Sequence, residues 1–258
     1  MAYKSREELV GKRFISVKSD GKLKLSKILD WEWRSGFVRA VSSRDFSNAK
    51  FTVLVEFDDT GWKSREYVKV HEVFQEFLVE HTLVWIGKKD SNSLPELRSA
   101  LCFKPVVDKA GLFQHSKRPV EFLSDRLIGI VEEKDISFYK EGDENTLLAV
   151  RDNPDVVKWI KAWTDYQDGQ KILLTTPTVL LGYRVEVYRT EGTTQWYTAV
   201  IKSYNHTNKS LTLTDDTVLE EHNEDPTLIQ MHLIGDGGKC LFPFPTLCYF
   251  MCVCLSTL

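Results

Sequence analysis

Aromatic and acidic side chains cluster near the predicted strand ends of the first seventy residues. They are Trp33, Phe57, Asp58, Asp59, Trp62 and Tyr67. Aromatic faces attract a methylated ammonium group through cation–π interactions, often with a carboxylate nearby. This set is therefore a candidate methyl-lysine cage, and Trp62 is its strongest member because it follows the turn-forming residues 58–61. The alternative is core packing, the usual fate of aromatic residues on alternating strands.

A second set with the same chemistry occurs later in the chain. Its members are Tyr188, Trp196, Tyr197, Asp215 and Asp216. We regard it as the weaker cage candidate, because a tryptophan at the start of a strand commonly packs in the core of a small barrel.

Basic residues are concentrated in residues 1–50, which contain twelve Lys or Arg against six Asp or Glu. Residues 171–236 show the opposite bias, with five basic and nine acidic residues. Clustered cations contact nucleic-acid phosphates without reading base sequence. Candidate nucleic-acid contacts are Lys18, Lys22, Lys24, Lys27, Arg34, Arg39 and Arg44. A solvated basic loop is the alternative interpretation.

Catalytic patterns are weak by comparison. The one His-x-Glu sequence, at His222 and Glu224, lies in an acidic polar stretch, and only His232 follows it. An iron site of the two-histidine, one-carboxylate kind needs a distant second histidine on a suitable scaffold. Four cysteines near the end lack the spacing of a zinc site: Cys240, Cys248, Cys252 and Cys254. We therefore predict no catalytic residue, no metal and no cofactor in this chain.

The elements that would position these residues follow a repeated pattern. Gly11 to Phe14, Trp33 at a strand start and Asp58-Asp59 after a strand are matched by Gly182 to Val185, Trp196 and Asp215-Asp216. This pattern is typical of small, strongly bent Tudor-like or SH3-like barrels. Phe51, Val53, Val55 and Phe57 alternate as a half-buried antiparallel strand requires.

The sequence predicts a mainly β fold with minor α content, in which two small barrels flank a mixed α+β middle segment. We expect a Tudor-like barrel at 1–90, the middle segment at 91–170, and a second Tudor-like or PWWP-like barrel at 171–236. Within the middle segment, Asn153 as N-cap and Pro154 at the first position predict a helix near 154–168, ending at Gly169. The apolar, cysteine-rich stretch 237–258 is expected to be disordered or an aberrant extension, and it is too short to span a membrane.

A series of short motifs, in order over about residues 8–235, is similar to the N-terminal region of the JmjC histone lysine-9 demethylases of the JHDM-two type. The motifs include Gly11-Lys12-Arg13-Phe14, Trp33-Arg34-Ser35-Gly36, Tyr67-Val68-Lys69-Val70, Phe77-Leu78-Val79-Glu80-His81, Phe103-Lys104-Pro105-Val106-Val107-Asp108, Val120-Glu121-Phe122-Leu123-Ser124-Asp125 and Gly182-Tyr183-Arg184-Val185. The resemblance implies a nuclear chromatin protein with Tudor-like and PWWP-like modules. It also implies a zinc finger and an Fe(II)- and 2-oxoglutarate-dependent JmjC domain farther along. We expect this chain to stop before both of them.

Residues and resemblance together predict a non-catalytic chromatin-reader or targeting region. Its expected partners are histone tails or nucleosomes, bound weakly, and DNA as a further candidate. We expect a monomer with no membrane association. The alternative is a structural scaffold or protein-interaction module that binds neither methyl-lysine nor DNA.

Overall fold

The computed structural model describes residues 9–234, apart from 46, 47, 49, 88–96, 152 and 193. The side chains of residues 62, 144, 145 and 148 are also outside this description. The predicted tail at 237–258 and its four cysteines lie beyond the described residues. Within them, the fold is mainly β, as predicted, and consists of two antiparallel sheets and three α-helices.

The first sheet has nine strands. They are β1 (Arg13–Val17), β2 (Arg34–Val41), β3 (Val53–Phe57), β4 (Glu66–Val68), β5 (Glu76–Ile86), β6 (Arg98–Asp108), β7 (Lys117–Phe122), β8 (Ile128–Glu132) and β9 (Ile136–Phe138). Their order is β4-β3-β2-β1-β5-β6-β7-β8, with β9 paired to β5.

The second sheet has five strands in the order β13-β12-β11-β10-β14. They are β10 (Arg184–Tyr188), β11 (Trp196–Asn205), β12 (Ser210–Asp215), β13 (Glu221–Glu224) and β14 (Met231–Leu233). A bridge between Ala40 and Ile229 brings β2 into backbone contact with the segment that precedes β14.

The helices are α1 (Val70–Val73), α2 (Glu144–Val150) and α3 (Pro154–Thr175), with short 3-10 turns at Leu25–Asp30, Trp62–Ser64, Leu112–Gln114, Glu133–Asp135 and Pro177–Leu180. Helix α3 begins as predicted, since the Asn153 side chain accepts a hydrogen bond from the Val156 amide at 3.2 Å. It does not end at Gly169. One glycine inside a helix costs only about 1 kcal/mol, and Leu173 in the following turn is buried against the second sheet. We call this sheet and its connecting turns the second barrel.

Strand β5 connects two parts of the first sheet. Its first residues pair with β1, its last with β9, and β6 accompanies it along its length. The short apolar run Thr82–Ile86 predicts a strand over the second half of β5, and the structure extends this strand back to Glu76. The apolar core therefore passes on both sides of one continuous strand, with Phe77 and Val79 on one face and Leu83 and Trp85 in a separate cluster.

Helix α3 lies between the sheets. Val156 and Ile160 near its start pack on the first-sheet core, and Leu173 near its end packs inside the second barrel. Tyr166 donates a hydrogen bond to the Gly11 carbonyl at 2.9 Å, and Gln170 donates to the Met231 carbonyl at 2.6 Å. No helix in the described part of the chain is both long and apolar enough to cross a membrane.

Candidate functional site

Phe57, a predicted cage member, is a core residue. It is 6% exposed and packs edge-on against Phe14, with ring centroids 5.2 Å apart. The guanidinium of Arg34 covers its ring at 3.8 Å. Its face is therefore already occupied by an internal cation.

The other aromatic residues of the first set lie elsewhere. Trp33 packs against Trp31 with tilted rings whose centroids are 5.7 Å apart, in the cluster under helix α3. Tyr67 pairs with Leu54 in the sheet, so it lies on the face opposite to Phe57, and it is 47% exposed near Thr190 of the second barrel. The backbone of Trp62 forms a one-turn 3-10 helix, but its side chain lies outside the described part of the structure. The structure therefore does not bring Trp33, Phe57 and Tyr67 around one point.

The two acidic members of this set hold arginines. Asp58 accepts two hydrogen bonds from Arg13, at 3.0 and 2.7 Å, and one from the Ser35 hydroxyl. Burial alone would raise the pKa of Asp58, but the Arg13 charge lowers it below its ordinary value. Hydrogen bonds from Arg34 likewise lower the pKa of Asp59. Both carboxylates are therefore paired with arginines of the protein itself.

In the second set, Tyr188 and Trp196 do come together, edge-on at 5.1 Å. The guanidinium of Arg39 lies over both rings, 5.2 and 5.4 Å from their centroids, and 4.4 Å from the ring of Phe37. An internal arginine thus occupies the position that a methylated lysine would take.

Arg39 itself was a candidate nucleic-acid contact, and its position does not support that role. It is 2% exposed, and its guanidinium donates to both oxygens of Glu56, at 3.1 and 3.0 Å, and to Gln230 at 2.7 Å. A buried arginine with every partner supplied internally cannot reach a phosphate.

Tyr197 lies apart from Tyr188 and Trp196, because neighbouring residues of a strand face opposite sides. Its hydroxyl donates to Glu224 at 3.2 Å, and Arg189 lies over its ring at 4.5 Å. Burial and then the Glu224 charge raise the pKa of Tyr197. Asp215 pairs with Arg189 at 2.9 Å, and Asp216 pairs with Arg184.

The four predicted lysines lie on the surface within one ten-residue segment. Lys18, Lys22, Lys24 and Lys27 are all exposed, and the part of the chain that the structure describes gives none of them an ion-pair partner. They lie on the segment 18–27, which we call the lysine loop. Asp20 is the acidic residue within it.

The lysine loop is anchored rather than loose. Ile28 and Trp31 just beyond it are buried in the first-sheet core, and the Trp31 indole donates to the Lys24 carbonyl at 3.2 Å. Two candidate arginines do not join it. Arg34 pairs with Asp59, and Arg44 pairs with Asp225 at 2.5 Å, across to the second barrel.

A network of buried polar side chains was not predicted from the sequence. The Arg13 guanidinium pairs with Glu121 of β7 as well as with Asp58. Glu80 beside it accepts hydrogen bonds from the Trp163 indole at 2.5 Å and from Gln167. These partners are separated by up to 108 residues, so no local spacing could have revealed them. The network fixes α3 and β7 against the start of the first sheet.

The residues that an iron site would require do not come together. His222 and Glu224 both lie beside Tyr197, whereas His232 is buried at the opposite edge of the sheet and pairs with Glu186 at 2.5 Å. Among the described residues, no three His, Cys, Asp or Glu side chains form a group that could hold a metal. These residues do not fit an Fe(II) centre.

Three family models match the chain. Residues 77–170 match the PWWP domain of lysine-specific demethylase 3B, and residues 172–241 match the tudor domain of the same protein. The chain carries PWWP and tudor domains of the lysine-specific demethylase 3B type. Residues 8–67 match a domain of unknown function. The PWWP match covers β5 and the region that we expected to be a mixed middle segment, 91–170.

Curated relatives agree with these matches. The chain is 38% identical over 251 residues to the human probable JmjC domain-containing histone demethylation protein 2C, and this alignment covers 92% of the chain and 10% of that relative. It is 31% and 30% identical to the human and chicken lysine-specific demethylase 3A, covering 89% and 90% of the chain and 18% of each relative. The chain thus spans less than a fifth of the length of the curated relatives it matches. The predicted family resemblance is confirmed.

Proposed function

We propose that this region attaches a demethylase-type protein to chromatin by binding nucleosomal DNA through the lysine loop. The observation that carries the proposal is the contrast between the two kinds of candidate site. The lysine loop is exposed and has no internal ion pair in the described structure. Among the described aromatic candidates, arginines lie over the rings of Phe57, Tyr188, Trp196 and Tyr197, and Trp33 packs in the core, whereas Tyr67 is exposed on the face of the sheet opposite to Phe57. We infer that the protein acts in the nucleus.

Binding of this kind is weak and independent of base sequence. Each lysine that neutralises a phosphate releases condensed counterions, so affinity falls as the salt concentration rises. The acidic second barrel would not share such a contact. Its charge orients the molecule, because the lysine loop approaches the DNA while the acidic barrel is repelled from it.

The test compares two fourfold variants that remove the same charge. In the first, Lys18, Lys22, Lys24 and Lys27 become alanine. In the control, four exposed lysines scattered over other surfaces become alanine: Lys134, Lys140, Lys171 and Lys202. Binding to nucleosomes is measured for both variants and for the unchanged protein over a range of salt concentrations.

The lysine-loop variant should bind more weakly, and its plot of log affinity against log salt should become shallower by about 0.9 for each phosphate that the protein no longer neutralises. The control should keep most of the original slope. Equal effects of the two variants would mean that only net charge matters. No effect of either variant would favour the scaffold function.

We also propose that the chain does not catalyse demethylation on its own. This rests on the separation of His222 and Glu224 from His232, described above. Purified protein supplied with Fe(II) and 2-oxoglutarate should leave a methylated histone peptide unchanged, as measured by mass spectrometry. Turnover that persists in a His222→Ala variant would reveal a contaminating enzyme, whereas turnover that disappears in that variant would contradict the proposal.

A further inference from the structure

Strand β13 forms the outer edge of the second sheet, and within the described structure β12 is its sole partner. The Asp215 amide donates to the Glu220 carbonyl at 2.9 Å, which fixes the hydrogen-bonding pattern of this pair. Because antiparallel pairs alternate, His222 and Glu224 turn their backbone groups toward β12. Glu221 and Asn223 turn theirs outward, and both residues are exposed.

The turn that leads into β13 is rigid and presents apolar side chains to solvent. The Asp215 carboxylate accepts hydrogen bonds from the amides of Thr217 and Val218. Val218 is 55% exposed and Leu219 is 75% exposed. Leu219 also has a φ of 57°, in the left-handed region that a branched apolar residue seldom adopts. Hairpin loops commonly place a left-handed residue before the second strand, as Lys209 does before β12 with a φ of 58°.

The charge at this edge is negative. Glu220 and Glu221 are exposed, and no ion pair involves either in the residues the structure describes. The neighbouring acids are engaged, since Glu224 accepts a hydrogen bond from Tyr197 and Asp225 pairs with Arg44. Sheet edges are protected by short strands and by charge as well as by proline. β13 has four residues and an acidic surface, which discourages pairing with another acidic strand but not with a cationic one.

We propose that β13 binds an extended basic peptide, which adds to the second sheet as a further strand. Outward backbone groups of Glu221 and Asn223 would supply main-chain hydrogen bonds, as in other cases of strand addition. Glu220 and Glu221 select a cationic partner and repel a second copy of the same acidic edge. Val218 and Leu219 offer a contact for an apolar side chain of the peptide.

This surface differs from the lysine loop, and the inference does not depend on DNA binding. It requires no methyl-lysine cage, because charge and backbone pairing carry the recognition. The probe is therefore an unmodified peptide from the N-terminal tail of histone H3. Its control is a peptide of equal length in which every lysine and arginine is replaced by glutamine.

The first experiment maps backbone hydrogen exchange by NMR with the unmodified peptide. The amides of Glu221 and Asn223 should exchange rapidly in the free protein and become protected in the complex. Those of His222 and Glu224 should be protected in both. Peptide binding that leaves the first two amides unprotected would overturn the proposal.

The second experiment measures peptide affinity in variants. Glu220→Lys with Glu221→Lys should weaken binding by about fivefold or more at low salt, because two attractions become repulsions. Asn223→Pro removes an outward amide without touching the β12 ladder and should weaken binding to a similar extent. Circular dichroism establishes that each variant is folded, and the charge-reversal pair keeps the test valid if the proline variant does not fold.

The lysine-loop variant is the matched control. It should bind the peptide as the unchanged protein does, while the β13 variants should lose no affinity for free DNA. If the neutral peptide binds as well as the basic one, or if the lysine-loop variant alone loses the peptide, the β13 proposal fails. Loss of DNA binding alone would count against the DNA proposal and leave this one standing.

Discussion

Replacing Glu56 with alanine should lower the free energy of unfolding by about 3 to 5 kcal/mol, the cost of leaving a buried charge without its partner. Glu56 is 6% exposed and holds Arg39 with two hydrogen bonds. It also accepts a hydrogen bond from Tyr188 at 2.6 Å and two from Gln195, at 2.9 and 3.1 Å. All of these donors stay buried or half-buried after the substitution.

The partners also show which interface is affected. Arg39 and Glu56 belong to the first sheet, whereas Tyr188 and Gln195 belong to the second barrel. Removing the Glu56 carboxylate should therefore weaken the packing between the sheets. An Arg39→Met, Glu56→Leu double variant removes both charges and should be less destabilised than the two single changes added together, because a buried ion pair is often replaceable by apolar groups.

Urea unfolding, followed by tryptophan fluorescence and circular dichroism, gives the required free energies. The control is Glu66→Ala on the neighbouring strand β4, where the side chain is exposed, and it should change stability by less than about 0.5 kcal/mol. A Glu56→Ala destabilisation below about 1 kcal/mol would refute the reasoning, since it would mean that Arg39 finds water or another partner.

Three further outcomes are expected. Burial, with Asp108 nearby, raises the pKa of Glu76 from 4.5 to about 8. Between these two pH values the folded state therefore holds a proton that the unfolded state releases. The free energy of unfolding should fall by about 2 to 3 kcal/mol between about pH 6 and about pH 8. Urea unfolding at both pH values should show this fall, and Glu76→Gln should abolish it. Gly36→Ala should destabilise the protein by about 1 to 3 kcal/mol or more in the same assay, because an added Cβ would lie 2.2 Å from the Glu56 carbonyl oxygen. Trimethylation of a lysine in a histone peptide should change the affinity of the peptide for this protein by less than about twofold, as measured by calorimetry. Methyl-selective binding that disappears in the Trp62→Ala variant would instead show that Trp62 belongs to a methyl-lysine cage.

Local patterns predicted the elements whose signals are local. The cap at Asn153 and the proline after it placed the start of α3, and the alternation from Phe51 to Phe57 placed β3. The same alternation predicted a strand buried on one face, yet every residue of β3 is buried. Leu54 and Glu56 on the second face are covered by the second barrel, whose residues lie more than a hundred positions away.

The candidate sites were harder to predict for the same reason. Sequence identified aromatic residues and cations that are suited to each other, but it could not show that they bind each other. Arg34 lies over Phe57, and Arg39 lies over Tyr188 and Trp196. The exposure of the four lysines in the lysine loop needs no distant partner, and they are exposed, but their role in binding DNA stays a prediction. The acidic stretch at 220–225 carries no sequence signal for the strand that it contains, since a short polar edge strand lacks apolar alternation.

Strand β5 has a consequence for how such regions can be inherited. Two matched segments, 8–67 and 77–170, meet at the start of this strand, so β1 of one hydrogen-bonds directly to β5 of the other. A gene that acquired 77–170 alone would encode a sheet with a bare edge along Phe77, Leu78 and Val79, three residues with no exposed surface here. Open apolar edges recruit other chains and aggregate. Recombination should therefore move these two segments together, although their sequences are recognised as separate families.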